Sequence, residues 1–359
     1  MALKKYISEV IEEKLARFPQ VKLASLPTPI AKLENLSQEL GGPEILVKRD
    51  DLTGLAFGGN KSRKLEFIIA DALKKGADTI ITWASLQSNW CLQLAAAARK
   101  HGLRPILVLF QTYDLPFSYD GNLLLDFLVE AEIQVRETKE KGKSVNQEKA
   151  FSLLKEIAEE EKKKGKKPYV VSVGGSATGG DMDRPLGALA YLKAMVEIAE
   201  QLSGVNKKVS HIVIASGSGA TQAGLLVGAK ALGLETEIIG ICVSDKKEEF
   251  LPQVKAIVLK LIETLQIEVE IDDREIILFD EYIREGYGVV NKEVAEVIRL
   301  VLKREGLVLD PVYTSKAMIG LIDLVKKGYF ASKDRVLFIH TGGTPALFAF
   351  KNRLVELLK

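Results

Sequence analysis

Aliphatic and β-branched residues gather in short runs that recur along the chain: EILVKRD (44–50), TIITWAS (79–85), PILVLF (105–110), YVVSVGG (169–175), HIVIASGSG (211–219), EIIGICVS (237–244) and RVLFIHTGG (335–343). Each run leads into a turn and then into a segment whose apolar residues fall at helical spacing, as Leu65, Phe67, Ile68, Ile69 and Leu73 do after residue 60. Strands alternating with helices predict crossover units, and therefore an α/β protein of twisted, largely parallel sheets flanked by helices. Ile7, Val10, Ile11 and Leu15 predict an N-terminal helix with one apolar face, and residues 147–163 predict a helix on a lobe surface. There is no Pro/Gly/Ser-rich linker and no internal repeat, so two lobes would be joined by short crossings, with a ligand in the cleft between them.

In open α/β sheets ligands sit beyond the carboxyl ends of the strands, and the polar and glycine clusters fall there: WASLQSNW, VGGSATGGD, ASGSGATQAGL and HTGGTPALF. With 359 residues, 47% hydrophobic and 27% charged, the chain can bury a sizeable core. A net charge of +2 with interspersed signs argues against nucleic acid or an anionic membrane and towards a small or zwitterionic partner. The start, MALKKYISEVIEEKLARFP, threads charges through its apolar residues, unlike a signal peptide, and no apolar run is long enough to cross a bilayer; the expectation is a cytoplasmic protein. Cys91 and Cys242 lack the paired spacing of a zinc site or disulfide framework, and no metal is expected.

Lys61 directly follows Gly58, Gly59 and Asn60 at the start of a helix. The positive helix end and the cations Lys48, Arg49, Arg63 and Lys64 nearby in sequence would disfavour its ammonium, which suits an amine nucleophile; an ordinary solvated loop lysine is the other reading. In HIVIASGSGATQAGL a strand ends in a loop of small residues and a helix opens near Thr221, so backbone N–H groups of Ser218, Gly219, Ala220 and Thr221 could surround a phosphate. Gly217, Gly219 and Gly224 do not have dinucleotide spacing, and no GK[ST] ending marks a nucleotide loop. A carbonyl-capturing lysine with a cradle for one phosphate suggests pyridoxal 5′-phosphate.

GGNKSRKLE around Lys61, QSN at 87–89, SGSGATQAGL, GYG around Tyr287, LDPVYTSKAMIGL around Tyr313 and HTGGTPALF then resemble, in order, the pyridoxal phosphate-dependent family of D-cysteine desulfhydrases and 1-aminocyclopropane-1-carboxylate (ACC) deaminases, from about Leu26 to the C-terminus. The resemblance implies a tryptophan synthase β-like fold and a homodimer. It implies a larger cofactor lobe of residues 1–63 plus 173–359 and a smaller lobe of 64–172. It makes Lys61 the Schiff-base lysine and proton shuttle. Ser88 joins Gln87, Asn89 and Trp90 in the substrate loop, with Ser88 assisting proton transfer and Asn89 reaching the cofactor's phenolic oxygen. Asn60, Ser218 to Thr221, Thr341 and Gly342 would hold the cofactor. Tyr287 and Tyr313 match two active-site tyrosines; a core aromatic with a satisfied hydroxyl is the alternative for either.

Position 314 is a glutamate in the family's ACC deaminases and a small hydroxyl residue in its desulfhydrases; here it is Thr314, which by the resemblance faces the ring nitrogen, leaves it largely unprotonated and favours elimination. The implied reaction is loss of the Cα proton to Lys61 and of a Cβ leaving group. D-cysteine would give sulfide, pyruvate and ammonia; the alternatives are ACC deamination, elimination from another β-substituted amino acid, and, in a different class, non-catalytic binding of the cofactor.

Two departures bear on the substrate. Trp90, Cys91 and Leu92 follow QSN where desulfhydrases carry a histidine and a basic residue. The motif GGSATGGDMDRPLGALAY carries an insertion with Asp181, Asp183 and Arg184, which either reaches the cleft, where Arg184 could bind a second acidic group, or is a surface loop.

Overall fold

The computed structural model describes residues 2–359 apart from 114, 116, 139–140, 177 and 205–207, with side chains from Glu9 onward. The strands are β1 (Ile30–Lys32), β2 (Glu44–Lys48), β3 (Thr79–Ser85), β4 (Arg104–Gln111), β5 (Glu132–Glu137), β6 (Pro168–Val170), β7 (His211–Ser216), β8 (Glu237–Cys242), β9 (Ile277–Phe279) and β10 (Arg335–Ile339). One sheet has the order β1-β2-β10-β7-β8-β9 and draws its strands from both ends of the chain; the other has the order β5-β4-β3-β6. Among the strands described, only β1 with β2 pairs antiparallel.

Central strands are apolar on both faces because helices cover both: all seven residues of β3 are buried, and Ile212, Val213 and Ile214 of β7 are fully so. Each such aliphatic side chain contributes roughly 1.5–3 kcal/mol by leaving water. Parallel register brings the carboxyl ends together: Ile339 lies beside Lys48, Ser216 beside Cys242, and Ser85 beside Phe110. The loops that follow β2, β3, β7, β8 and β10 therefore open towards one another, and that sets the site.

The helix Asn60–Lys74 buries Leu65, Phe67, Ile68 and Ile69 as its periodicity predicts, although Leu73 is exposed. The helix Gln147–Lys163 has the predicted bounds. Ile11 and Leu15 of the helix Ala2–Ala16 are buried, while the side chain of Ile7 lies outside the described residues. The run YVVSVGG yields only a short strand, because the chain turns at Gly174 and Gly175, both left-handed. β5 carries no such signal: its EIQVRE is mostly polar and forms the sheet edge. Among the described residues no helix is long and apolar enough to cross a membrane.

Candidate active site

A cavity of about 730 Å³ lies between the two sheets, lined by Asn60, Lys61, Ser88, Asn89, Trp90, Gly174, Ser218, Gly219, Thr221, Tyr287, Tyr313 and Thr341 among others. Residues from seven separate stretches of sequence thus meet in one space.

Lys61 is the second residue of the helix Asn60–Lys74. The two glycines before it are required by the protein itself: a Cβ on Gly58 would sit 2.0 Å from Asp51 O, and one on Gly59 2.6 Å from Gln93 Nε2 and 2.9 Å from Thr341 O. Thr53 Oγ1 accepts from Gly59 N (2.8 Å), Gln93 Nε2 donates to Gly58 O (2.7 Å), and Asn60 N donates to Thr341 O (3.0 Å), so the turn is tied to the loop after β10. Beneath it, Arg63 donates to Asp50 (2.9 Å) and Glu197 (2.8 Å), Lys48 to Glu197 (2.6 Å), and Tyr191 to Asp50 (2.5 Å). Burial alone would push Asp50 up, but the Arg63 guanidinium holds its carboxyl below the ordinary range.

The Lys61 amine is lowered from 10.5 to about 8, as the sequence predicts, but for a different reason. Lys48, Arg49 and Arg63 are neutralised by Glu197, Asp51 and Asp50. Burial does the work, and Lys64, one turn on, acts in the opposite direction as a hydrogen-bond partner of Lys61. Lys64 is fully buried, donates to Gly174 O (3.3 Å) and is pushed well below the lysine range by burial and by Lys61. Two ammonium groups so close in a dry site cannot both stay charged, and Lys64 is the one that gives up its proton. Sequence reasoning counted Lys64 only as a cation; its spacing of three from Lys61 was the signal for contact on one helix face.

A Cβ on Gly174 would lie 2.6 Å from Ser218 Oγ and 3.2 Å from Lys61 Nζ, so its missing side chain keeps open the gap those two groups flank. Ser218 Oγ accepts from Ser176 Oγ (2.7 Å), and Asn60 Nδ2 donates to Thr221 Oγ1 (3.3 Å). The helix Ala220–Ala231 begins here with Gly219 as its cap, and its first N–H groups have no partner within the helix. An amine of lowered basicity beside a helix N-terminus bearing two hydroxyls fits an aldehyde with one phosphate. Ala220 contributes backbone alone: it is buried and does not line the cavity.

Ser88 caps the helix Asn89–Lys100, its Oγ accepting from Cys91 N (3.2 Å). Gln87 does not line the cavity: its Nε2 donates to Asp120 O (3.0 Å) and its Oε1 accepts from Asn122 N (2.8 Å). Trp90 Nε1 donates to Thr82 Oγ1 (2.9 Å), and its ring packs on Gly175, so it forms wall without a titratable group. Cys91 is buried and its thiol is pushed up by burial, which leaves it inert.

Tyr287 and Tyr313 hydroxyls are 2.5 Å apart, and Tyr113, which no motif singled out, donates to Tyr287 (3.2 Å). Burial raises all three, so they stand protonated. Lys316 Nζ donates to Ile283 O (2.7 Å) and Gly286 O (2.5 Å), fixing the turn that carries Tyr287. Thr314 is buried behind Tyr313 and does not line the cavity. Its Oγ1 donates to Asp310 Oδ1 (2.7 Å) and accepts from Asp310 N (2.7 Å), so its one proton is turned to a carboxylate that no motif singled out. Gly342 bridges to Gly59 where the two loops cross.

The insertion does not reach the cleft. Arg184 donates to Asp71 (3.2 Å), Asp181 Oδ2 accepts from Val170 N (2.7 Å), and none of Asp181, Asp183 or Arg184 lines the cavity. Ala177 of the same motif lies outside the described residues.

Three comparisons accord with this geometry. A D-cysteine desulfhydrase of Serratia proteamaculans (strain 568) is 43% identical over 95% of this chain and 98% of its own length. One of Klebsiella pneumoniae (strain 342) is 41% identical over 95% and 99%. The crystal structure of an ACC deaminase homologue superposes with a TM-score of 0.86 at 40% identity, covering 97% of this chain and 98% of that one. The family model described as "Pyridoxal-phosphate dependent enzyme" matches residues 21–342, and the chain belongs to that family, within its branch of D-cysteine desulfhydrases and ACC deaminases.

Proposed function

We propose that this pyridoxal phosphate-dependent enzyme catalyses α,β-elimination from a small amino acid, D-cysteine first, giving pyruvate, ammonia and hydrogen sulfide. The observation that carries the reading is the meeting, in one cavity, of a lysine lowered to about 8 with Ser88 and two protonated tyrosines. The relatives named D-cysteine desulfhydrase support the substrate.

Lys61 would hold the cofactor through its aldehyde, and the cofactor when bound supplies an electron-withdrawing ring. Asn60 and the first turn of the helix Ala220–Ala231 would hold its phosphate, with Ser218 and Thr221 as hydroxyl donors; Asn89 would face its phenolic oxygen, and Thr341 would line the cofactor side. With the amino acid in place, the Lys61 amine would accept the Cα proton, since a base near 8 is neutral often enough at physiological pH. Ser88 and backbone N–H groups of its loop bind the carboxylate and so choose which Cα bond is broken. Tyr287 and Tyr313 are available to protonate the departing sulfur. Water then hydrolyses the released enamine to pyruvate and ammonia.

ACC deamination to 2-oxobutanoate and ammonia is the second reading, favoured by the ACC deaminase homologue; Thr314, hydrogen-bonded to Asp310 outside the cavity, does not decide between the two. Wall space shaped by Trp90 leaves room for other β-substituted amino acids. Division into lobes 1–63 plus 173–359 and 64–172, a cytoplasmic setting and a homodimer complete the proposal. Cys91 and Cys242, free and buried, suit a reducing compartment. Phe117, Tyr119 and Phe127, ring against ring yet each more than half exposed, suit burial against a second copy.

The test is release of sulfide and of 2-oxo acid from D-cysteine, L-cysteine and ACC, with Lys61→Ala as control. Sulfide and pyruvate from D-cysteine alone, abolished by the substitution, is the expected result. 2-Oxobutanoate from ACC with no sulfide would overturn the desulfhydrase reading.

A further inference from the structure

An asparagine amide has two unlike ends, and Asn89 can serve the cofactor's phenolic oxygen only if it presents its NH2. Asn122, fully buried as the second residue of the helix Gly121–Leu128, decides which end is presented. Asn122 Nδ2 lies 2.9 Å from the backbone oxygen of Gln87 and 2.9 Å from Asn89 Oδ1. A backbone carbonyl can only accept, so the Asn122 atom facing it must be the nitrogen. That nitrogen has two hydrogens; one goes to Gln87, the other to Asn89, whose facing atom must then be its oxygen. The Asn89 NH2 is left on the other side, where a Cβ on Gly343 would come within 2.8 Å of it. The chain of assignment starts from a backbone atom that cannot be flipped, and both amides follow from it.

Two further observations agree. Asn122 Oδ1 is buried with no partner, a penalty that an apolar residue in the same space would not carry. Gln87 closes the arrangement through Asp120 O and Asn122 N, so the loop carrying Ser88 and Asn89 is fastened to the start of this helix at four points.

We propose that Asn122 is a positioning residue: it fixes the polarity of the Asn89 amide so that an N–H donor faces the cofactor. The proposal rests on the reading that Asn89 contacts the cofactor, and a double-mutant cycle of Asn122→Leu and Asn89→Ala separates the two. Two quantities are measured on each purified variant: the dissociation constant for pyridoxal 5′-phosphate, and the pH midpoint of the bound cofactor's absorbance change. Asn122→Leu should weaken binding by roughly tenfold or more, the loss of one hydrogen bond to a charged oxygen, and should move the midpoint. In the Asn89→Ala background it should change neither. Equal effects of Asn122→Leu in both backgrounds, or no effect in wild type, would overturn the positioning role while leaving Asn89 its contact. Silence of Asn89→Ala would overturn the Asn89 contact and the positioning together. If Asn122→Leu does not fold, Asn122→Ala takes its place with the same expectations.

Discussion

Removing Lys64 should lower the basicity of Lys61 further, although a lysine is being taken away. In the cofactor-free protein, Lys61 near 8 is neutral in about one molecule in ten at pH 7, whereas a lysine at 10.5 is neutral in roughly three in ten thousand. Capture of pyridoxal 5′-phosphate by Lys61 should therefore be about 300-fold faster than capture by an ordinary lysine amine. It should rise about tenfold between pH 6 and 7 and level off above 8. Lys64, neutral in its dry site, accepts a hydrogen bond that favours the Lys61 ammonium. Lys64→Met deletes that acceptor. A hydrogen bond to a charged group is worth about 1.5–3 kcal/mol, so the plateau should begin about one pH unit or more lower. The assay is the rate of borohydride-trapped labelling of Lys61 across pH, divided by the rate for N-acetyl-lysine in the same buffers to cancel titration of the cofactor. A plateau that moves to higher pH in Lys64→Met would mean Lys64 is the charged member and would refute the reasoning; so would wild-type capture that keeps rising to pH 10.

Gly174→Ala places a methyl group against Ser218 Oγ and Lys61 Nζ at a φ of +67°, so the variant should lose about 1–2 kcal/mol of stability and purify without cofactor, read from its absorbance. Asp126 is fully buried with both oxygens unpartnered, and burial raises it well above 3.8. Above pH 4 the unfolded chain releases this proton while the native state keeps it, so native stability falls as pH rises; Asp126→Asn should gain about 1.4 kcal/mol on wild type per pH unit until the native carboxyl ionises, and denaturant midpoints that run parallel from pH 4 to 7 would contradict this. Lys316→Met leaves the carbonyls of Ile283 and Gly286 without their buried donor, so stability should drop by about 2–4 kcal/mol and kcat should fall more than KM rises, because the turn holding Tyr287 loosens.

Local pattern alone determined much of this protein. The apolar runs located β2, β3, β4, β7, β8 and β10, and helical spacing located the helices Asn60–Lys74 and Gln147–Lys163, because period and burial are properties of neighbouring residues. The motifs around Lys61, Ser88, Tyr287 and Tyr313 marked residues that line one cavity. Edge strands β1, β5 and β9 stayed hidden, being short or mostly polar. Tertiary structure decided what distant segments do to one another. It neutralised Lys48, Arg49 and Arg63 and left burial and Lys64 to set the Lys61 amine. It turned Gln87 and Thr314 away from the cavity, brought Tyr113 to Tyr287, and drew the 181–184 insertion onto Asp71 and Val170. Hydrogen-bond partners and desolvation depend on atoms brought close only by folding, often more than a hundred positions apart, and no local pattern encodes them.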